Sequence, residues 1–320
     1  MKTIFLGSPP FALPVFRALA RSPHRPLALV TAPDKPRGRG REVEPSELVL
    51  AARELEVEVL QPADPHAPEV LEQLRALAPD VLVVASYGVI MKPQLIDLAP
   101  HGSLNVHASL LPRWRGASPI QAAIAAGDER TGVSVQRIVL ALDEGDVLHA
   151  KERAIGPEET AGELLAALAE LGGEAIVEAL DLLAGGRARF EPQDPGRATY
   201  ARKLKKERGV IDWTRPAREL ARHIRAMNPW PGARTLDARG RELTVLLARE
   251  VAASSAPSVT PGVVLEAGER FVVACGENAL ELAQLTPAGK RPMSGPEYLR
   301  GARTTAGERL GAASGPVGQV

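Results

Sequence analysis

The sequence predicts an α/β protein whose first domain is a Rossmann-like, mostly parallel sheet with flanking helices, followed by a smaller β-barrel domain. Three observations lead to this fold class. Strand-like and helix-like segments alternate over the first 190 residues, residues 80–86 form a continuous apolar run, and residues 235–285 contain short alternating segments separated by glycine turns. Continuous apolar runs of that length are typical of strands buried in parallel sheets.

Composition supports two domains and excludes several classes of protein. The chain has 320 residues, of which 45% are hydrophobic, so it can bury a sizeable core. Its 39 basic and 39 acidic residues cancel, so any surface that attracts nucleic acid must be local. The single cysteine, Cys275, excludes a disulfide framework and indicates a reduced, cytoplasmic protein. No apolar run reaches membrane-spanning length, and we expect no membrane partner.

The chain opens with a strand at residues 2–6, a turn at 7–10 and a helix from 11 to 19. The turn lacks the Gly-x-Gly-x-x-Gly pattern, so dinucleotide binding has no support. A second strand at 27–31 leads into residues 33–41, a loop rich in proline and glycine. Four cations lie within seven residues of that loop: Lys35, Arg37, Arg39 and Arg41. Such a loop is suited to phosphate backbones, although a solvated surface loop explains it equally well.

The rest of the first domain continues the alternation of helices and strands. Helices are predicted at 45–55, 68–77, 93–98 and 120–126, and strands at 57–60, 80–86, 103–107, 132–140 and 147–150. The loop after the apolar strand, residues 87–90, is a candidate pocket wall. Thr160 caps a long amphipathic helix, which we interpret as scaffold.

A second basic cluster marks the passage to the second domain. Residues 200–225 contain nine Lys or Arg against three acids, and either a solvated helix or an anionic partner explains them. Short strands then fill residues 235–285, and a last short helix covers 294–303. We therefore predict a catalytic domain at 1–190, a basic linker at 191–208, a barrel domain at 209–310 and a disordered tail at 311–320.

The polar residues most suited to chemistry lie around the strand at 103–107. Asn105 and His107 are two apart, so they project from the same face of that strand. Asp143, in the turn between two later strands, is a third polar group at a strand edge. An amide and an imidazolium can donate hydrogen bonds to an oxyanion without a covalent nucleophile, and each such donor is worth roughly 2.7–4 kcal/mol. A nearby carboxylate would raise the pKa of the imidazole and fix its tautomer. The sequence contains no serine elbow or metal-ligand cluster, which favours direct acyl transfer between two bound substrates.

At this point the chain resembles the 10-formyltetrahydrofolate-dependent formyltransferases, and among them the members that act on tRNA. The resemblance rests on SLNVHASLLPRWRG at residues 103–116 and LDEGD at 142–146, and covers residues 1 to 310. It extends to GSP at 7–9, SYG at 86–88 and NPWPG at 228–232. It implies the formyltransferase fold, with a C-terminal barrel similar to an OB-fold that adds tRNA contacts.

The resemblance implies transfer of the formyl group of 10-formyltetrahydrofolate to the α-amine of methionyl initiator tRNA, in translation initiation, by a cytoplasmic monomer without a metal. The amine attacks the formyl carbon, Asn105 and His107 hold the oxyanion, and Asp143 orients His107 and assists proton removal. Phe11 is the expected methionine-pocket residue. Folate is expected to contact two loops and the segment between them: Ser86, Tyr87, Gly88, Val89, Ile90, Ser109, Leu110, Leu111, Pro112, Val139 and Leu140. The tRNA is expected to contact the two basic segments: Lys35, Arg37, Arg39, Arg41, Lys203, Lys205 and Lys206.

Relatives with other acceptors remain alternatives on the sequence alone. The nearest is an N-formyltransferase for a nucleotide-linked amino sugar, which would not need the basic loop at 33–41. A purine-pathway formyltransferase leaves the residues beyond about 200 unexplained, and a formyltetrahydrofolate hydrolase gives the linker and barrel no role. A non-enzymatic tRNA-binding module gives no reason for Asn105, His107 and Asp143 together.

Overall fold

The structure is a computed structural model that describes residues 1–34, 36–37, 42–252 and 259–311, with backbone alone at 36–37 and 42–43. The chain forms two compact units. The first contains residues 1–119, 130–154 and 164–202. The second contains residues 120–129, 155–163 and the described residues from 203 onward. The predicted boundaries at 190 and 208 stay a prediction.

The predicted strands and helices are present in the expected order, with ends that shift by a few residues, together with five strands of two residues each that the sequence did not predict. The strands are β1 (Thr3–Gly7), β2 (Pro26–Val30), β3 (Pro36–Arg37), β4 (Glu42–Val43), β5 (Glu58–Leu60), β6 (Val81–Ala85), β7 (Ser103–His107), β8 (Arg115–Gly116), β9 (Arg130–Arg137), β10 (Val147–Ala154), β11 (Tyr200–Ala201), β12 (Ala233–Leu236), β13 (Glu242–Val251), β14 (Val264–Ala267), β15 (Phe271–Ala274), β16 (Ala279–Pro287) and β17 (Met293–Ser294). The helices are α1 (Ala12–Ala20), α2 (Glu47–Glu54), α3 (Pro68–Ala76), α4 (Pro93–Ile96), α5 (Pro119–Ala126), α6 (Ala161–Ala184), α7 (Ala217–Met227) and α8 (Gly295–Ala302).

The first unit is built on a seven-stranded sheet in the order β10-β9-β7-β6-β1-β2-β5. The strands from β7 to β5 are parallel, and β9 and β10 add an antiparallel edge. Every residue of β1 and β6 is buried, as their apolar runs require in a sheet covered on both faces. The predicted mostly parallel sheet with flanking helices is thus confirmed.

Several helices begin at the capping residue or proline that marks their start in the sequence. The Ser46 hydroxyl accepts a hydrogen bond from the Val49 amide at the start of α2. At α6, Thr160 and Glu163 form a reciprocal capping box, because each side chain accepts from the backbone amide of the other residue. Pro119 is the first residue of α5, a position where its missing N–H is harmless.

The second unit contains an antiparallel sheet in the order β12-β13-β16-β15-β14, with β17 paired to β16. Helix α7 packs against β13, and its apolar side chains Leu220 and Ile224 are fully buried. The Phe271 ring stacks on Tyr298 of α8, with 5.7 Å between ring centroids. The predicted β-rich second domain is confirmed, while closure of this sheet into an OB-like barrel stays a prediction. Among the described residues, every helix is too short or too polar to cross a lipid bilayer.

Candidate active site

Strand β7 carries the first two candidate residues at the junction of the parallel and antiparallel parts of the sheet. Asn105 lies beside Val84 of β6 and opposite Gln136 of β9, and His107 lies opposite Ser134. Directly opposed residues of an antiparallel pair point to the same face. The register therefore groups the side chains of Asn105, His107 and Gln136 on one face of the sheet.

His107 is held between a carbonyl and a carboxylate. Its ring is 7% exposed, with Nε2 3.0 Å from the Trp114 carbonyl oxygen and Nδ1 3.7 Å from Oδ1 of Asp143. A carbonyl only accepts, so Nε2 carries the hydrogen in this contact. Both ring nitrogens thus face protein groups, and the role of His107 in holding an oxyanion stays a prediction.

Asn105 is the available donor of the group. Its side chain is half-buried, and within the described part of the chain its amide has no hydrogen-bond partner. A half-buried amide that no protein group satisfies is suited to a ligand oxygen, because ligand binding then recovers the hydrogen bond.

Asp143 lies in the loop between β9 and β10 with a positive φ of 51°. Its Oδ2 accepts a hydrogen bond from the Gly116 amide at 2.8 Å, and its Oδ1 accepts one from the Gln136 side chain at 3.0 Å. Two N–H donors therefore fix the direction in which the carboxylate points.

Gln136, which is 2% exposed, is a site residue that the sequence did not single out. A second is Gln193, whose amide donates to Gln136. A candidate signal for Gln136 is its position as a polar residue on a buried strand, two residues after Ser134.

Two loops beside these residues expose apolar side chains. In the loop after β6, Ile90 is 91% exposed, whereas Tyr87 is buried and its pKa is raised to about 12 by that burial. In the loop after β9, Leu140 is 76% exposed. Both loops leave the same hydrophobic cluster, since Tyr87 and Ile138 pack in it together. Exposed apolar side chains in loops of this kind are suited to a ligand that covers them.

Some of the other predicted folate-binding residues are exposed, whereas one is buried and hydrogen-bonded within its own loop. Ser86 and Gly88 have positive φ, and Val89 is 40% exposed, as is Val139 in the other loop. In the loop after β7, the buried Ser109 hydroxyl donates to the Arg113 carbonyl, so that side chain braces its own loop. The next three residues are partly exposed: Leu110, Leu111 and Pro112.

The structure describes only some of the residues predicted for the methionine pocket and for tRNA binding. Phe11 is 6% exposed, and its ring packs towards Gly172 of α6. Arg37 lies in the short strand β3, without a described side chain. Three predicted tRNA contacts lie outside the described residues: Lys35, Arg39 and Arg41. Three others are exposed at the start of the second unit: Lys203, Lys205 and Lys206.

Metal-assisted chemistry has no ligand set in the described part of the chain, where no three His, Cys, Asp or Glu residues are grouped as metal ligands. The side chains of Asn105, His107 and Asp143 carry groups suited to hydrogen bonding and proton transfer.

Comparison with known proteins assigns both parts of the chain. Residues 1–180 match the family described as formyl transferase, and residues 203–303 match the formyl transferase C-terminal domain. The methionyl-tRNA formyltransferase of Methylococcus capsulatus is 43% identical over 97% of this chain and 100% of its own length. That of Solibacter usitatus is 44% identical over 97% of this chain and 99% of its own length. Among solved structures, the N-formyltransferase of Helicobacter canadensis in complex with folinic acid and dTDP-3-aminofucose shares the fold. Its TM-score is 0.66 at 15% identity, over 89% of this chain and 100% of that one.

Proposed function

The chain belongs to the methionyl-tRNA formyltransferase family, and we propose that it transfers the formyl group of 10-formyltetrahydrofolate to the α-amine of methionyl initiator tRNA. The relatives that carry this assignment are aligned along nearly the whole of both chains, catalytic and C-terminal parts alike. The observation that supports it within the molecule is the grouping of Asn105, His107 and Asp143 beside two loops with exposed apolar side chains.

The proposed chemistry is direct attack of the methionine amine on the formyl carbon. The free amide of Asn105 donates a hydrogen bond to the formyl oxygen as negative charge develops there. In the present geometry Nε2 of His107 donates to the Trp114 carbonyl. His107 donates to the formyl oxygen in place of that carbonyl when the substrate is bound. Asp143 faces the other ring nitrogen, which orients the imidazole and gives the proton of the attacking amine an acceptor nearby. The amine nitrogen loses that proton, and the folate nitrogen that leaves the formyl carbon gains one.

The binding of both substrates follows from the surfaces around this group. We propose that the folate ring covers Ile90 and Leu140, which bury apolar area only when a ligand is present. The tRNA is proposed to contact the basic loop at 33–41 and the exposed lysines at 203, 205 and 206, mainly through its phosphates. We further propose that the protein acts as a monomer in the cytoplasm. Size-exclusion chromatography of the purified chain tests the monomeric state.

A transfer assay with two acceptors tests the assignment. The purified protein and radiolabelled 10-formyltetrahydrofolate are offered methionyl initiator tRNA and a nucleotide-linked amino sugar in one mixture. We expect label in the tRNA alone, and none with the Asn105→Ala variant. Label in the sugar would instead support the alternative acceptor, which so far has only fold-level similarity at 15% identity behind it. Release of free formate would indicate a hydrolase.

A further inference from the structure

Gln193 lies outside the three candidate catalytic residues, yet its side chain is bonded more densely than any of theirs. Its Nε2 lies 3.1 Å from Oε1 of Gln136, 2.8 Å from the carbonyl oxygen of Asp143 and 2.7 Å from that of Gly145. Its Oε1 accepts two hydrogen bonds from Arg115, at 3.0 Å from Nε and 2.9 Å from Nη2. The two hydrogens of this NH₂ group serve three oxygens, so one of the hydrogens is shared between two acceptors. One amide thus connects four residues around the site.

The orientation of this amide is fixed by its partners. Backbone carbonyls only accept hydrogen bonds and a guanidinium only donates them, so the NH₂ group must face the loop and the oxygen must face Arg115. A glutamate would place an oxygen against two carbonyl oxygens, and an aliphatic side chain would leave Arg115, which is 3% exposed, without this acceptor. Glutamine is therefore the side chain of this length that satisfies both sides.

The donors form a chain that ends on the catalytic carboxylate. Arg115 donates to Gln193, Gln193 donates to Gln136, and the Gln136 amide donates to Oδ1 of Asp143. This Oδ1 atom of Asp143 lies 3.7 Å from Nδ1 of His107. Hydrogen bonds that run in one direction polarise one another, so the loss of one link weakens those that follow.

The backbone holds Gln193 in place from both sides. Two residues before it, Glu191 exchanges a pair of backbone hydrogen bonds with Val147 at the start of β10. After it, the Thr199 hydroxyl accepts from the Trp114 amide, and β11 pairs with β8. Residues 191–201, which we call the bracing segment, are therefore attached near both ends to β10 and to the loops that carry Trp114 and Asp143.

We propose that Gln193 is a positioning residue that sets the direction of the Asp143 carboxylate, both through Gln136 and through the two loop carbonyls that it binds. This inference rests on the proposed role of Asp143 in formyl transfer. Gln193 itself has no contact with the reacting groups, so its effect on the rate passes through Asp143.

A double-mutant cycle on the full-length protein tests this route. Gln193→Met removes the amide at nearly constant volume, and Gln193→Glu keeps the acceptor for Arg115 while removing the donors. We expect either variant to lower kcat of formyl transfer about 100-fold in the wild-type background, the cost of a misplaced catalytic group. In the Asp143→Asn background the same change should alter kcat by less than about twofold, because the group that it positions is already lost.

A stability control separates positioning from general loosening of the fold. Val49→Ala, at a fully buried position of α2 beside the far edge strand β5, should lower Tm while leaving kcat unchanged. A Gln193 variant that loses activity equally in both backgrounds, or no more than Val49→Ala does, would overturn the positioning role and leave the proposed function intact. If Asp143→Asn alone retains full kcat, the proposed role of Asp143 fails and the positioning role fails with it.

Discussion

The Nδ1 atom of His107 lies 3.7 Å from Oδ1 of Asp143, an oxygen that also accepts a hydrogen bond from Gln136. The two residues are 36 positions apart in the chain, and the loop that carries Asp143 is fixed against the Gly116 amide. Small changes in either residue should therefore affect the reaction without disturbing the sheet.

Asp143→Asn and His107→Ala should each lower kcat by about 10²–10⁴-fold, the usual contribution of a positioned acid or base. Tm should fall only modestly, because each variant loses hydrogen bonds of a mostly buried side chain, and that loss is too small to explain the fall in kcat. The matched control is His149→Ala, which breaks a histidine–carboxylate pair of the same unit with Glu178, 2.7 Å apart. Wild-type turnover in the two site variants would exclude them from the reaction.

Ile90→Ser should raise KM for 10-formyltetrahydrofolate about tenfold or more, because a buried isoleucine side chain contributes roughly 1.5–3 kcal/mol. The residue is 91% exposed without ligand, so thermal unfolding should not change. Leu50→Ser is the control, since Leu50 of α2 is also an exposed apolar side chain, at 52%. An equal rise in KM for both variants would contradict a specific role of the loop after β6.

Arg39→Ala should raise KM for methionyl-tRNA and leave KM for folate unchanged. The wild-type KM for tRNA should also climb steeply between 50 and 200 mM salt, since each phosphate contact contributes a slope of about −0.7 to −0.9 in log K against log salt. Arg130→Ala, which removes an arginine paired with Glu152, is the charge-matched control. A tRNA KM that is flat in salt would indicate that phosphate contacts are few.

Gly116→Ala should destabilise the first unit and slow the reaction together. Gly116 has φ of +110°, and a Cβ there would lie 2.6 Å from the Ala201 carbonyl oxygen. Its amide also donates to Asp143. Gly186→Ala is the control: its φ is +65° with no heavy atom within 4 Å of an added Cβ, so only backbone strain of about 1–2 kcal/mol is expected. Equal Tm losses with unchanged kcat would argue against the close approach.

Stability should depend on pH through His223 of α7. Burial, with the charges of Arg215 and Arg208, lowers its pKa from 6.5 to about 4, and its Nε2 is buried without a hydrogen-bond partner in the described structure. Between those values the unfolded chain binds a proton that the folded chain does not, so stability falls as the pH drops below about 6.5. The contribution is about 2 kcal/mol at most between pH 7.5 and 5.0. In denaturant unfolding, the free energy of unfolding of His223→Gln should therefore fall by about 2 kcal/mol less than that of the wild type over the same pH range. Equal losses in both proteins would refute the assignment.

The sequence predicted the fold, and the strand that carries Asn105 and His107, because those features depend on local pattern. Apolar runs mark β1 and β6, Thr160 and Glu163 mark the start of α6, and the spacing of Asn105 and His107 fixes their shared face. Each of these is readable within a few residues.

The bonding around Asp143 depends on register and on the path of a distant segment, which no local pattern encodes. Gln136 joins the site because it pairs opposite Asn105 across two antiparallel strands. Gln193 joins it because the backbone of Glu191 pairs with Val147, 44 positions earlier in the chain. The backbone of Thr199 bonds to Arg115 and Pro112, which lie 84 and 87 positions before it. The contact between His107 and the Trp114 carbonyl could not be predicted either, because it depends on how the loop after β7 folds back on the strand.

The attachment of the bracing segment also fixes where the chain can be cut and rejoined. Residues 191–201 follow the predicted catalytic domain in sequence, yet their hydrogen bonds reach Trp114, Gln136 and Asp143. A chimera that takes its C-terminal domain from a relative should therefore cross over after Ala201. A junction at residue 190 would import foreign side chains into the support of the carboxylate and transfer a defect along with the new specificity.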